Sequence, residues 1–263
     1  KRISSTYEVR GMIATLTSYD NATPGSGAAL NQIQFTYNTF RQLTEEEQEH
    51  GGVVGGSTPG VQYGYATGGS SSNQIRPTTL TYPNARQIDF DYGTSGGMND
   101  RLNRLSAIID DSTTTTMAAY TYLGQSFVIQ ITYTQAGFGL DLWGGASGTF
   151  NGIDLFNRII DQRWVTTGGT PTDLDRYQYG YDRNSNRLYR QNTVGSALDE
   201  FYTYDNLNRL ASMQRGTLNS TKTGITGTPA RELDYTLDPT GNWRTYLTQT
   251  TGTTDLDQSR TAT

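Results

Sequence analysis

Few side chains in this 263-residue sequence are equipped for chemistry. The single histidine, His50, follows a glutamate run and precedes glycines, whereas a nucleophilic triad needs a base that a third group holds in place. No cysteine is present, so there is neither a disulfide framework nor a thiolate metal site. A phosphate-binding loop ends in a lysine, but Lys1 and Lys222, the only two, follow no glycine loop, and the glycines at 51–56 read as a flexible connection. Carboxylates recur two apart as Asp89/Asp91, Asp173/Asp175 and Asp255/Asp257, and a strand would place each pair on one face. Such pairs are Ca²⁺ candidates, since that ion takes several carboxylate and carbonyl oxygens; the plainer reading is solvated strand ends. From this inventory we expect no catalysis and no cofactor.

Arginine is abundant where lysine is scarce, and arginine interleaved with aromatics is also a nucleic-acid pattern. Net charge, however, is −5 and the sequence pI about 4.9, so a polyphosphate would meet no general positive field. Nucleic acid is therefore not an expected partner. Arg41, Arg86, Arg104, Arg158, Arg187 and Arg209 instead fall at one recurrent register, where a guanidinium stacks on a tyrosine ring and forks to a carboxylate.

That register belongs to a repeated phrase. Tyr181-Asp182 leads through a polar turn to Asn186-Arg187-Leu188, and Tyr204-Asp205 leads through another to Asn208-Arg209-Leu210. In Tyr202-Thr203-Tyr204 the aromatics alternate with a β-branched residue, which in a strand sets both rings on one face. The residues after Asp205 turn the chain by bonding to their own backbone. Each unit is thus a β-hairpin, and an isolated hairpin is marginal in water, so the units must stack. Echoes run along the chain through Tyr37 with Arg41, Tyr82 with Arg86, Asn103 with Arg104, Tyr122, Asp154 with Arg158, and Asp238 with Gly241. Turns are expected near 38–40, 83–85, 183–186, 206–208 and 239–241. Glu45, Glu46, Glu47 and Glu49 read as a solvated hairpin tip or strand edge. Residues 124–152 lack the phrase and read as an irregular insertion or a plug against the array.

Composition agrees with sheet. Aromatics make up 11% of the residues, 18 of them tyrosine, while charged residues reach only 17%, the reverse of a disordered chain. No apolar run is long enough for a membrane span, and the first residues hold no signal-peptide core. The chain opens on Lys1 in a strand-like run, so we read residues 1–263 as a single array cut from a longer chain.

The phrases YGYDRNSNRL, YTYDNLNRL and YTLDPTGNW resemble the YD repeats of the RHS family, large bacterial secreted and surface proteins related to insecticidal-toxin cocoons and teneurins. QLTEEEQEHGG, TYPNAR and YEVRGMIATLTSYD resemble the stretch ahead of the RHS-associated core. The resemblance implies an all-β fold, an array of antiparallel hairpins coiled into a β-strip that forms part of a hollow shell, with tyrosines in rows. It implies a non-catalytic structural segment at the cell surface or outside the cell. Its partners would be neighbouring repeats of the same longer chain, and either an enclosed C-terminal domain or a surface glycan or protein. The alternative is an adhesion module that binds glycans or proteins through exposed Tyr and Trp rows. Ser185, Leu207 and Ala85 stand where the family often has Gly, and Trp243 where it has Arg. No core-ending Asp-Pro-x-Gly-Leu segment is present, so self-cleavage is carried over to no residue.

Overall fold

A computed structural model describes residues 1–67, 75–144 and 150–260. It is all-β and antiparallel, and the helix among the described residues amounts to α1 (Met98–Arg101) and one 3₁₀ turn, Ser196–Leu198. The chain divides into two units, residues 1–128 with 133–136, and residues 129–132 with 137–263.

The first unit carries β1 (Arg2–Tyr7), β2 (Ile13–Tyr19), β3 (Ala29–Tyr37), β4 (Leu43–Glu49), β5 (Gly60–Tyr65), β6 (Pro77–Thr81), β7 (Gln87–Asp91), β8 (Ala107–Asp110) and β9 (Thr115–Leu123). Each pairs antiparallel with the next in sequence. Strand β10 (Phe127–Tyr133) contributes residues to both units. The second unit carries β11 (Phe138–Asp141), β12 (Asp161–Thr166), β13 (Asp173–Tyr181), β14 (Arg187–Asn192), β15 (Asp199–Tyr204), β16 (Leu210–Gly216), β17 (Arg231–Leu237), β18 (Trp243–Thr250) and β19 (Thr253–Ser259), again paired in sequence order. In such a meander the turns after odd strands lie at one end of the strands and those after even strands at the other.

Residues directly opposite across a ladder share a face, so the register separates two surfaces. In the second unit Tyr179, Arg190, Glu200, Arg215 and Arg231 follow one another across five strands on one face. Tyr189, Phe201, Gln214, Glu232 and Gln249 form a row on the other. The first unit repeats the contrast, with Leu16, Ile33 and Gln48 on one face and Thr15, Gln34 and Glu47 on the opposite one. Neither face is greasy. Among the described residues, the buried apolar side chains are Ile88, Tyr92, Ala107 and Ala118 in the first unit, and Ile129, Leu142, Val165 and Leu218 in the second. With so few, hydrogen bonds and ring contacts between hairpins carry a larger share of stability than in a packed sandwich.

Turns stand at all five expected places. Two expectations fail. Glu45–Glu49 is neither a tip nor an edge: it lies in β4, paired to β3 on one side and β5 on the other. Its carboxylates are tolerated there because the strip is open, and Gln34, Gln62 and Thr58 donate to three of them. Nor is 124–152 an irregular plug throughout, because Phe127–Tyr133 and Phe138–Asp141 are strands. Period-two alternation in FVIQITY was sufficient to make a strand without the repeated phrase. Residues 145–149 of that stretch lie outside the described residues.

Candidate functional site: a ladder of turns, tyrosines and arginines

Seven five-residue turns share one pattern: 8–12, 38–42, 82–86, 154–158, 182–186, 205–209 and 238–242. In each, the first N–H donates to the carbonyl of the fifth residue at 2.8–3.0 Å, and the fourth N–H to the carbonyl of the first at 2.9–3.2 Å. This is a type I turn closed by a bulge whose fourth residue is left-handed. That position holds Gly11, Arg41, Ala85, Asn157, Ser185, Asn208 and Gly241, every one with positive φ.

The first residue explains the recurrent aspartate. Oδ1 of Asp154, Asp182, Asp205 and Asp238 accepts the N–H groups two and four residues on, at 2.8–3.0 Å, and Asn38 does the same. Only a short acceptor side chain reaches both. Oδ2 is left for the side chain of the fifth residue: Arg158 Nε at 2.7 Å, Asn186 at 2.8 Å, Arg209 Nε at 2.7 Å and Asn242 at 3.2 Å. These bonds hold the carboxyls of Asp182, Asp205 and Asp154 below the ordinary range against the opposing effect of burial. Asp238 is drawn to about 2, chiefly by the Thr240 hydroxyl.

Tyrosines tie six of the hairpins to the one before. Six rings stand at or within one residue of the ends of odd strands and donate the hydroxyl to a carbonyl of the preceding hairpin: Tyr37 to Ile13, Tyr65 to Leu43, Tyr92 to Pro77, Tyr122 to Leu105, Tyr181 to Ile159 and Tyr204 to Arg187, at 2.7–3.0 Å. Where the residue just before the acceptor is arginine, its guanidinium covers the ring: Arg76 over Tyr92 at 4.2 Å, Arg104 over Tyr122 at 4.5 Å, Arg158 over Tyr181 at 4.7 Å. Arg158 and Arg104 also donate forward, as does Arg209. Arg158 reaches the Asp182 carbonyl at 3.0 Å, Arg209 the Asp238 carbonyl at 2.6 Å, and Arg104 the Gln125 carbonyl at 2.9 Å. One rung therefore joins a carboxylate, a guanidinium, a ring and a backbone carbonyl across two hairpins.

Several sequence-designated residues stand elsewhere. Asn186-Arg187 and Asn208-Arg209 are not equivalent: counted from the aspartate, Arg209 matches Asn186, while Arg187 matches Leu210. Arg187 instead stacks on Tyr179 at 4.7 Å within its own hairpin. By the same count the left-handed residue is Asn208, not Leu207. Arg41 occupies a left-handed position, exposed and off the ladder. Tyr82 begins its turn where the others have Asp, Asn or Glu, and this turn follows an even strand, at the opposite end from the ladder. Arg86 there pairs with buried Asp110 at 2.9 Å. Asn103 is the left-handed residue after α1, and Arg104 Nε bonds Asn99 at 2.6 Å. Tyr65 and Tyr92, which end alternating runs, are ladder members that the phrase-based reading passed over.

Other polar clusters are also internal. Buried Glu200 receives Arg215 at 2.6 Å, Arg190 at 2.9 Å and the Tyr202 hydroxyl; burial first, then Glu200, pushes Tyr202 up to about 12. Asp199, 1% exposed, accepts the N–H groups of Asn192 and Leu218. Asp173 is no solvated strand end but is held by Arg163 at 2.8 Å and Arg176 at 3.2 Å, and Asp175 accepts from Asn192. Among the described residues no group of three or more His, Asp and Glu is placed to hold a metal ion.

No protein-family model matches the sequence, and no curated protein matches it. Solved structures do. A chain of the Photorhabdus luminescens Tc holotoxin pore, a TccC3 mutant, aligns over 98% of this chain with a TM-score of 0.55 at 11% identity. A chain of the TcdB2-TccC3-TEV crystal structure aligns over 96% with a TM-score of 0.52 at 12% identity. The fold is RHS-like. At that identity the likeness extends to the fold alone, and this chain spans 14–15% of the length of those chains.

Proposed function

We propose that this chain is a non-catalytic structural segment of a large bacterial RHS-type β-shell or surface assembly, secreted or displayed outside the cell. Its repeats enclose or span rather than react. The observation that carries this reading is the ladder: the recurrent aspartates close their own turns, and ladder tyrosines with Arg104, Arg158 and Arg209 bond to adjoining hairpins, so most of the recurrent residues are consumed in joining. Coiling into a hollow strip, and a partner in the form of a C-terminal domain enclosed by the longer chain, follow from the resemblance of the YD phrases. They are supported by the likeness to Tc toxin chains only at the level of fold. The adhesion alternative gains no specific support, because Trp164 packs on Phe138 and Trp243 lies under Arg260 instead of presenting bare rings. In the parent protein, Tyr181→Phe and Tyr204→Phe should each lower particle stability by a similar amount, whereas His50→Ala should leave it unchanged. An activity abolished by His50→Ala, with assembly and melting intact, would overturn the structural reading.

A further inference from the structure

In the first unit, the ends of the odd strands carry a row of large apolar side chains that none of the described elements covers. Val9 at the 8–12 turn is 102% exposed, Phe40 at the 38–42 turn 64%, and Met98 at the start of α1 66%. Neighbouring strands lie about 4.8 Å apart, so the three tips span roughly 30 Å along one end of the strands. They project from separate turns, as a row of pegs.

The charges beside the pegs are unequal. Glu8 is matched by Arg10 at 2.6 Å and Asp100 by Arg76 at 2.5 Å. Asp91 is the remaining carboxylate at this end, its Oδ1 accepting the Gly93 N–H. Against it stand Arg104 and the exposed Arg41 and Arg101, the last two in no close ion pair among the described residues, although Arg101 also attracts the Asp100 carboxylate. This end is therefore net positive on a chain of net charge −5, while the glutamates of β4 recede from it along the strand.

We propose that this end of the first unit docks on an anionic lipid surface, with Val9, Phe40 and Met98 entering the headgroup boundary and Arg41 and Arg101 facing lipid phosphates. Isolated apolar pegs fit a fluid phase that closes around each one, and unpaired arginines beside them fit its negative surface potential. The strands would then stand end-on to the membrane without crossing it.

The test is co-sedimentation of the 263-residue chain with vesicles of phosphatidylcholine alone and of phosphatidylcholine with 30% phosphatidylserine, at about 0.1 M salt. Binding to the anionic vesicles only is expected. Arg41→Gln and Arg101→Gln should each weaken it about fivefold, and Phe40→Ser at least about tenfold, with unchanged circular dichroism because all three side chains are exposed. Equal binding to both vesicle types, or full binding by the Val9→Ser/Phe40→Ser/Met98→Ser variant, would overturn the proposal. So would a mass in solution that falls from dimer to monomer in that variant, since the pegs would then be covered by a second copy.

Discussion

Each tyrosine of the ladder makes one hydroxyl bond to a carbonyl one hairpin back, and some lie under a guanidinium as well. Removing only the hydroxyl tests the bond apart from the ring. Tyr181→Phe and Tyr204→Phe should each cost about 1 kcal/mol in denaturant unfolding, while Tyr82→Phe, off the ladder, should cost nothing measurable. Gly180 has a different role. A β-carbon there would fall 2.1 Å from the Tyr189 ring, which also carries the Lys222 ammonium 4.9 Å from its centre. Gly180→Ala should destabilise by about 2 kcal/mol through displacement of the ring. Conversely, Arg41 has φ +67°, a conformation that costs an L-residue about 1 kcal/mol. Arg41→Gly should therefore raise the thermal midpoint, even as it removes a proposed lipid contact.

At the scale of the turn, acid is the selective probe. The carboxyl of Asp238 is drawn down to about 2 in the fold from an ordinary 3.8, first by the Thr240 hydroxyl and then by N–H donors of its own turn. A depressed carboxyl adds stability that is complete above the unfolded value and is lost as pH falls through the folded one. Melting followed from pH 5 to pH 2 should show that loss, and Asp238→Asn should make it smaller, the depressed carboxyls of Asp154, Asp182 and Asp205 supplying the rest. Asp234, in the adjoining strand β17, has the opposite sign: burial, then Glu232, raises its carboxyl. Its charge is a burden at neutral pH that protonation relieves, so Asp234→Asn should raise the midpoint at pH 7 and have little effect near pH 3. Glu200 joins β14, β15 and β16 through two arginines. Glu200→Gln should cost on the order of 2 kcal/mol, because both cations lose a carboxylate that is itself buried.

Across the whole molecule, contacts run from each strand to its sequence neighbours, so stability should be close to a sum of nearest-neighbour terms. Tyr37→Phe and Tyr204→Phe lie in different units. Their combined effect should equal the sum of the single effects within about 0.5 kcal/mol, as measured by a double-mutant cycle; a larger coupling would indicate that the rungs act as one cooperative body.

The hairpin itself was legible in the amino-acid order, because alternating aromatics followed by Asp, Asn and Gly report backbone torsions and local hydrogen bonds that need no partner. That is why the turns at 182–186, 205–209 and 238–242, and the antiparallel all-β class, could be read from it. The charged run of β4 misled, since exposure depends on whether a strand has neighbours, which charge does not reveal. The sequence phrase aligned Arg187 with Arg209, yet the chain counts from the aspartate, and one residue more in the first turn moves Arg187 into the strand. Tyr82 shows the same limit: its turn is built like the others, but which end of the strands a turn occupies depends on how many strands precede it. Local order determined what each hairpin is. Only the tertiary structure decided which tyrosine meets which carbonyl, because that contact joins residues 15–24 apart, and its geometry exists only once two hairpins are paired side by side.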